Sequence, residues 1–406
     1  MKILQLCPRF PYPLKDGGRI GIFNITKHLT LRGHSIDMIT FAEDDTTPDA
    51  IQEMERYCRV SIIHDNTKTN GKNFLRSMMR NEPVYITRHR SEPFRAVVRE
   101  HLRSGNYDIV YGDHSAMFPY LLEAKRLAGL PAAMRLHNVE NMIWHRYAKE
   151  EKNPIKKFIA YRQAIMLERI EARCAALVDV NFAITDIDKA RMEQISPRAR
   201  VVTVLPGVDS DHWRQAPYAS GSSVGILANT FSWIHNVNGV LWFIERVMPM
   251  IQKDIPGFSL ELLGLNPPPV LLKKASNAVH VRGYVEDIRP NIARAGVYVV
   301  PLHVGSGIRI KILEAMAMGI PVVSTSVGCE GIPATDGKNI MIADSAEEFA
   351  RAVTTILSDP ARAAQMGNAA RQFIEERFRW SHAAEMIEQE FARIAASVCS
   401  GQNITH

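Results

Sequence analysis

Arg309, Lys311 and Glu314 follow one another closely in the stretch HVGSGIRIKILEAMAMG, residues 303–319, on what reads as the first turns of a helix. Ahead of them Gly305, Ser306 and Gly307 form a glycine-bracketed turn, which leaves backbone N–H groups of the helix start, including that of Ile308, open to an anion such as a phosphate. Arg309 or Lys311 adds positive charge at that point. Glu314 lies one helical turn beyond Lys311, and its two oxygens can accept from the two hydroxyls of a ribose. The alternative is a Lys/Glu pair on the solvated face of an amphipathic helix. It fits poorly, because Ile308, Ile310, Ile312, Leu313, Met316 and Met318 make the segment apolar nearly all round, so charged groups there need a partner or a ligand.

Four further stretches carry polar groups at strand ends. Gly17 and Gly18 open a helix after the first strand, where unblocked N–H groups could face an anion, although this is no GxGxxG fingerprint and a glycine pair also serves plain backbone geometry. His137 and Asn138 end the strand AAMRL, and Asp113 and His114 end the preceding one. Polar residues at the carboxyl end of a strand are placed to meet a ligand or an acceptor. Backbone groups of Tyr284 and Val285, in VRGYVEDIRP, could pair with a nucleobase edge, although any strand-end turn would look the same. Asp186 and Asp188 in ITDIDKARM could hold a divalent ion, but they follow a strand and open a helix, so capping by Thr185 or Asp186 is the preferred account. No metal site is expected.

The elements that must position these residues read as alternating strands and helices. Apolar, β-branched runs recur as KILQLC, SIDMITF, RVSIIH, YDIVYG, AAMRLH, LVDVNFAIT and RVVTVLP, and then as VGILAN, FSLELLG, AVHVRG, VYVVPLH, PVVSTS and NIMIAD. Strands apolar at successive positions and separated by helix-length segments predict parallel sheets covered on both faces, hence an α/β fold of two doubly wound domains. With 406 residues the chain has room for two cores of about 200 residues each. The join is expected in LPGVDSDHWRQAPYASGSS, 205–223, where Pro, Gly and Ser interrupt periodicity. Ligands of open α/β sheets sit beyond the carboxyl ends of the strands, so a cleft between two such sheets is the expected place for chemistry.

Composition narrows the class. Apolar residues make up 46% of the chain and charged ones 23%, as in a soluble globular protein. Cys7, Cys58, Cys174, Cys329 and Cys399 are odd in number and lack zinc-type spacing, which fits a reducing cytoplasm. MKILQLC is cut short by Pro8, Arg9, Pro11 and Pro13, so it fails as a signal peptide, and no apolar run is long enough to span a membrane. The net charge of +6 comes from the first 200 residues, with 32 Lys and Arg against 24 Asp and Glu. KNFLRSMMR and RHRSEPFRAVVREHLR space their cations along expected helices, which suits an anionic surface or substrate or else a solvated face. No nucleic-acid-binding motif accompanies that charge.

At GSGIRIKILEAMAMGIPVVST, joined to RGYVEDIRP upstream and to the glycine pair after the first strand, the chain resembles the GT4 family of retaining, nucleotide-sugar-dependent glycosyltransferases with the GT-B fold, over essentially its whole length. The resemblance implies an acceptor-binding Rossmann-like domain at 1–206, with a C-terminal helix at 381–406 packing back on it, and a nucleotide-sugar-binding domain at 207–380. It assigns Glu314 to the ribose, Tyr284 and Val285 to the base, and Gly305, Ser306, Gly307, Ile308 and Lys311 to the diphosphate of a UDP- or GDP-sugar. Asn229 joins the donor side. His137 would contact the donor sugar near the reacting centre with Lys311 and Arg309 as the catalytic cations, and Gly17 and Gly18 would lie beside the phosphates and acceptor. Asp113, His114 and Asn138 would face a glycan or lipid-linked acceptor. No cofactor or metal is implied beyond the donor itself, and the basic first domain allows peripheral contact with the inner membrane surface. Two departures stand out. Ser306 replaces the usual acidic residue eight positions before Glu314, and the strand after the linker runs into GILANTFSWIHNVNG with no cation, as in a branch of the family carrying Trp-x-x-Asn there, with Arg309 and Lys311 left to supply the charge. The rivals are a UDP-sugar 2-epimerase of the same architecture and a non-catalytic nucleotide-sugar-binding protein.

Overall fold

The computed structural model describes residues 1–231, 234–305 and 307–399, so Ser306 and the Trp233 of the Trp-x-x-Asn stretch lie outside the described residues. The chain divides into two compact units, Met1–Pro206 with the segment from Trp380 onward, and Gly207–Arg379.

The first unit is built on a seven-stranded parallel sheet of β1 (Lys2–Cys7), β2 (Ser35–Phe41), β3 (Arg59–Ile63), β4 (Ile109–Asp113), β5 (Ala132–Arg135), β6 (Val180–Ala183) and β7 (Val201–Thr203), in the order β3-β2-β1-β4-β5-β6-β7. The second has six parallel strands, β8 (Val224–Ala228), β9 (Ser259–Leu263), β10 (Val279–Gly283), β11 (Val297–Val300), β12 (Val322–Ser324) and β13 (Met341–Ile342), in the order β10-β9-β8-β11-β12-β13. All thirteen apolar runs of the sequence became strands. The physical reason is visible in β4 and β11, which are buried at every position because helices cover both faces of each sheet.

In each sheet the strand order reverses once, between β1 and β4 in the first unit and between β8 and β11 in the second. At such a switch point the connections leave in opposite directions and open a crevice at the carboxyl ends of the strands. The loop after β1 leads into a helix that opens on Gly17 and Gly18, the loop after β4 carries His114, and the loops after β8 and β11 carry Asn229 and the approach to Glu314.

The helix Trp380–Cys399 belongs to the first unit although it comes last in the chain. Trp380, Ala383, Ala384, Ile387, Phe391 and Ile394 recur at helical spacing and pack into one core with Ile3, Cys7, Ile22 and Phe182. An Arg200–Glu390 ion pair at 2.6 Å rims this seam, and His34 Nε2 is hydrogen-bonded to Glu388 Oε1 at 2.9 Å, burial holding that imidazole below its ordinary pKa. Among the described residues no helix is long and apolar enough to cross a membrane.

Candidate functional site

In the second unit the helix Ile310–Ala317 follows β11. Ile312, Leu313 and the Ala315–Ala317 turn are buried, and so is Glu314, which is only 3% exposed. Its Oε2 accepts from Lys311 Nζ at 2.8 Å, and the ammonium lies 5.6 Å from the Trp213 ring centre, within cation–π range. Burial pushes the Glu314 carboxyl above the ordinary glutamate range, and Lys311 opposes that shift. Tyr298 of β11 donates to the Ala228 carbonyl at 3.1 Å, tying the ends of β8 and β11 together, and burial beside Glu314 raises its phenol.

Arg309 corrects one expectation. It stands at the N-cap, before the first turn, with φ −85° and ψ 95°, and its guanidinium folds back to donate to the Gly307 carbonyl. Gly307 sits at φ +75°, a left-handed conformation that glycine adopts without steric cost. The cation of the helix itself is therefore Lys311. Asn229 also differs from expectation: its Oδ1 already accepts from Thr230 N and from Asn236 Nδ2, both at 2.9 Å, so it braces the loop after β8. Tyr284 and Val285 follow the edge strand β10, Tyr284 being two-thirds exposed. Three strand spacings, roughly 14 Å, separate β10 from β11.

In the first unit, Asp113 and Arg135 are register partners on the adjacent strands β4 and β5. Arg135 Nη1 donates to Asp113 Oδ1 at 3.0 Å, and His137 Nε2 lies 2.5 Å from the same oxygen. Arg135 Nη1, which only donates, lies 3.1 Å from the same ring nitrogen, but the much shorter contact is to the carboxylate, which only accepts, and it assigns the ring proton to Nε2 and leaves Nδ1 as an acceptor. Burial and the Arg135 charge hold the His137 imidazole below its ordinary pKa, against the pull of Asp113, which keeps it neutral. Asp113 is fully buried; burial would raise its pKa, but Arg135 and His137 together hold it below the usual aspartate value. Its expected contact with an acceptor is thus corrected: a carboxyl at the end of a central strand, neutralised by its neighbours, orients His137 and does not reach solvent.

The glycine helix Gly17–Leu31 lies directly on this triad. A Cβ at Gly18 would stand 2.4 Å from Arg9 Nη2 and 3.3 Å from His137 Nδ1, and one at Gly21 would stand 2.5 Å from Arg135 Nη2, so a side chain at either position would push these groups aside. The unblocked N–H groups expected at this helix start are not open. Asp16 is the N-cap, and its Oδ1 accepts from Gly18 N at 3.0 Å and Arg19 N at 3.2 Å while also taking Arg9 Nη2 at 2.6 Å. Asn138 is half-buried and has no side-chain partner among the described residues. Asp186 and Asp188 stand in the first turn of a helix capped by Thr185, whose Oγ1 accepts from Asp188 N at 2.9 Å.

Several polar groups around His137 escaped the sequence reading. Arg9 reaches Asp16 beside Gly18, and Arg135 was hidden in a strand where a lone cation among apolar residues was the one available signal. His114 holds φ +99°, a strained conformation for a residue with a side chain, and its ring meets the Tyr85 hydroxyl at 2.5 Å and lies 4.9 Å from that of His137. On its far side Glu140 Oε1 is 3.7 Å away. Glu140 begins the helix Glu140–Glu150 and shares its buried surroundings with Glu171, which accepts from Glu140 N, Asn141 N and Asn141 Nδ2. Burial raises Glu171 to about 7 even against those three donors, and burial, then Glu171, pushes the Glu140 carboxyl up to about 8, so of the two Glu140 is the later to ionise. A folded-state pKa above the unfolded one means that the stability gained is full below the ordinary glutamate range and is lost as pH rises through the raised value. The melting temperature is therefore expected to fall by several degrees between about pH 5 and pH 8, and Glu140→Gln to remove the part of that fall nearest pH 8, leaving the part due to Glu171, in a differential scanning calorimetry series. An unchanged slope in the variant would assign the proton elsewhere.

Two family models match the chain along most of its length, Glycosyltransferase Family 4 over residues 15–212 and Glycosyl transferases group 1 over residues 224–359. The chain belongs to the family 4 glycosyltransferases. As such it is an enzyme, and its two parallel-sheet units are the Rossmann-like pair of the GT-B fold. This glycosyltransferase is 21% identical, over 93% of its own length and 96% of the other, to an uncharacterised 44.6 kDa protein in the cps region of Klebsiella pneumoniae. It is 31% identical to the GDP-mannose-dependent α-(1-6)-phosphatidylinositol monomannoside mannosyltransferase of Mycolicibacterium smegmatis, over 45% of this chain and 54% of that enzyme, so the match spans about half of the relative. The solved structure of Anabaena HepE in complex with UDP superposes with a TM-score of 0.71 and 16% identity, covering 97% of this chain and all of that one; at this identity the likeness is one of fold.

Proposed function

We propose that this glycosyltransferase moves a sugar from a UDP- or GDP-linked donor to a glycan or lipid-linked acceptor of the cell envelope, with retention at the anomeric carbon. The observation that carries the proposal is Glu314: a carboxylate buried on the switch-point helix, with Lys311 as its partner at the helix start. Buried charge is costly unless it serves a partner, and a ribose diol together with a diphosphate would engage Glu314 and Lys311 at once. The spacing from β11 to β10 supports a base near Tyr284 and Val285, at the far end of an extended nucleoside diphosphate. The relatives add the envelope context, through the cps-region protein and the mannosyltransferase, and HepE was solved with UDP.

In this reading the bond between the anomeric carbon and the diphosphate oxygen breaks, a bond from the acceptor hydroxyl oxygen to that carbon forms, and the hydroxyl proton leaves toward the departing diphosphate. Negative charge grows on the diphosphate, where the N–H groups of the Gly305 to Ile308 turn and Lys311 would meet it. Those groups supply the charge a metal would otherwise supply, so turnover is expected to survive chelation. His137 Nδ1, held as an acceptor by the Asp113 bond on the other nitrogen, would receive a sugar hydroxyl. Asn138 offers the neighbouring amide.

The test is a panel of UDP- and GDP-sugars incubated with and without envelope glycan and glycolipid acceptors, the products being read by nuclear magnetic resonance. An acceptor-dependent product with the anomeric configuration of the donor is expected. A changed nucleotide sugar formed from donor alone would establish the epimerase instead, and an inverted product would overturn retention.

A further inference from the structure

Among the described residues no carboxylate pairs with Arg88. It ends the short helix Val84–Thr87, where its guanidinium lies 4.9 Å from the Tyr85 ring centre and Nη1 donates to Thr69 Oγ1 at 3.0 Å. Its Nε is buried with no hydrogen-bond partner, and among the described residues Nη2 has no acceptor. Burial outweighs the neighbouring carboxylates and holds the Arg88 pKa below the ordinary arginine value. An arginine that serves packing alone is finished differently. Arg371 donates to the Ala317 and Trp213 carbonyls at 2.6 and 2.8 Å and pairs with Glu375 at 2.6 Å.

The charges around Arg88 are matched with one another. Arg135 pairs with Asp113 at 3.0 Å, Arg9 with Asp16 at 2.6 Å, Arg19 with Asp45 at 2.9 Å and Glu43 at 3.5 Å, and Lys15 with Asp45 at 2.8 Å. Glu140 acts on Arg88 more strongly than any other charged neighbour, but it forms no ion pair with it and, pushed up to about 8, is an acid at neutral pH. Positive charge is therefore left over. Three imidazoles register it: His89, His114 and His137 are all held below the ordinary histidine value, by burial first, with Arg9 among the further causes at each and Arg88 at His89. A chain of contacts links Arg88 to the strand ends. Tyr85, under its guanidinium, meets the His114 ring with its hydroxyl at 2.5 Å, and His114 lies 4.9 Å from His137 beyond β4 and β5.

We infer that Arg88, with Arg9 nearby, forms an anion subsite for the acceptor, so that the accepting glycan carries a carboxylate or a phosphate. That group meets the free Nη2 edge and supplies the counter-charge that the fold leaves out, a charge-assisted contact stronger than a neutral one. The proposed donor site gives its diphosphate to Lys311 and the Gly305 to Ile308 turn of the second unit, which leaves this anion to the acceptor. The inference rests on that reading of the reaction and adds the charge of the acceptor to it.

The test is isothermal titration of the full chain, saturated with UDP, with glucuronate, glucose 6-phosphate and glucose at matched ionic strength. One or both anionic sugars are expected to bind about tenfold or more tightly than glucose, and which of the two binds better tells carboxylate from phosphate. Arg88→Met should abolish the preference and Arg88→Lys keep part of it. In Arg88→Met the melting temperature should hold or rise, because an unmatched charge is removed from a buried place. Equal binding of the three sugars, no binding of any, or a preference that persists in Arg88→Met would overturn the inference. So would weaker UDP binding in Arg88→Met, which would hand the residue to the donor. Failure of the unsubstituted chain to bind UDP would instead sink the donor assignment, and the same sugar titrations without UDP would then decide this inference.

Discussion

Arg135→Met is expected to destabilise the first unit by about 3–5 kcal/mol, because it leaves the fully buried Asp113 charge without its main counter-ion. Methionine matches the arginine stem in length and packs against the same walls, so lost volume contributes little. The electrostatic origin has a signature. In the unsubstituted protein the depressed Asp113 pKa contributes stability that is present above the ordinary aspartate value and lost as pH falls through the lower folded value. In Arg135→Met that contribution reverses sign, since burial alone then raises the Asp113 pKa and favours the acid form. Urea unfolding across an acidic pH series reads both effects. Adding Asp113→Asn to Arg135→Met should restore much of the loss, whereas two independent packing defects would add. A loss well below 1 kcal/mol in the single variant would mean that the triad carries no buried charge.

The second large effect is on binding. Glu314→Ala is expected to weaken nucleoside diphosphate affinity roughly 10- to 100-fold, the loss of hydrogen bonds to a charged acceptor. Its effect on the unliganded protein should be small, because the burial cost of the carboxylate is relieved and Lys311, 43% exposed, stays solvated when its partner is lost. Weaker binding without lost stability is what separates a ligand group from a structural one. Isothermal titration with UDP and GDP measures the first, and thermal unfolding the second. Equal affinity in the variant would remove Glu314 from the donor site.

How much of this was legible in the sequence depended on whether the relevant physics was local. Parallel strands buried on both faces read as apolar runs, so KILQLC, VYVVPLH and the others could be placed one by one. Glu314 and Lys311 are three residues apart on one helix, and their pairing follows from helical geometry. The Asp113–Arg135 pair lies beyond such reasoning, since the two residues are 22 positions apart and meet only because β4 and β5 align in that register. Asp16 was passed over although its signal is local. An aspartate before a glycine pair is an ordinary N-cap signal, but treating the glycines as the feature left the capped N–H groups counted as open. Legibility ended where side chains distant in sequence had to be brought together.

The most direct test of the central claim is a crystal structure with a nucleoside diphosphate bound. The account predicts the ribose hydroxyls within hydrogen-bond distance of Glu314, and the diphosphate on the Gly305 to Ile308 backbone and Lys311. A nucleotide bound elsewhere, with Glu314 still paired only to Lys311, would contradict it.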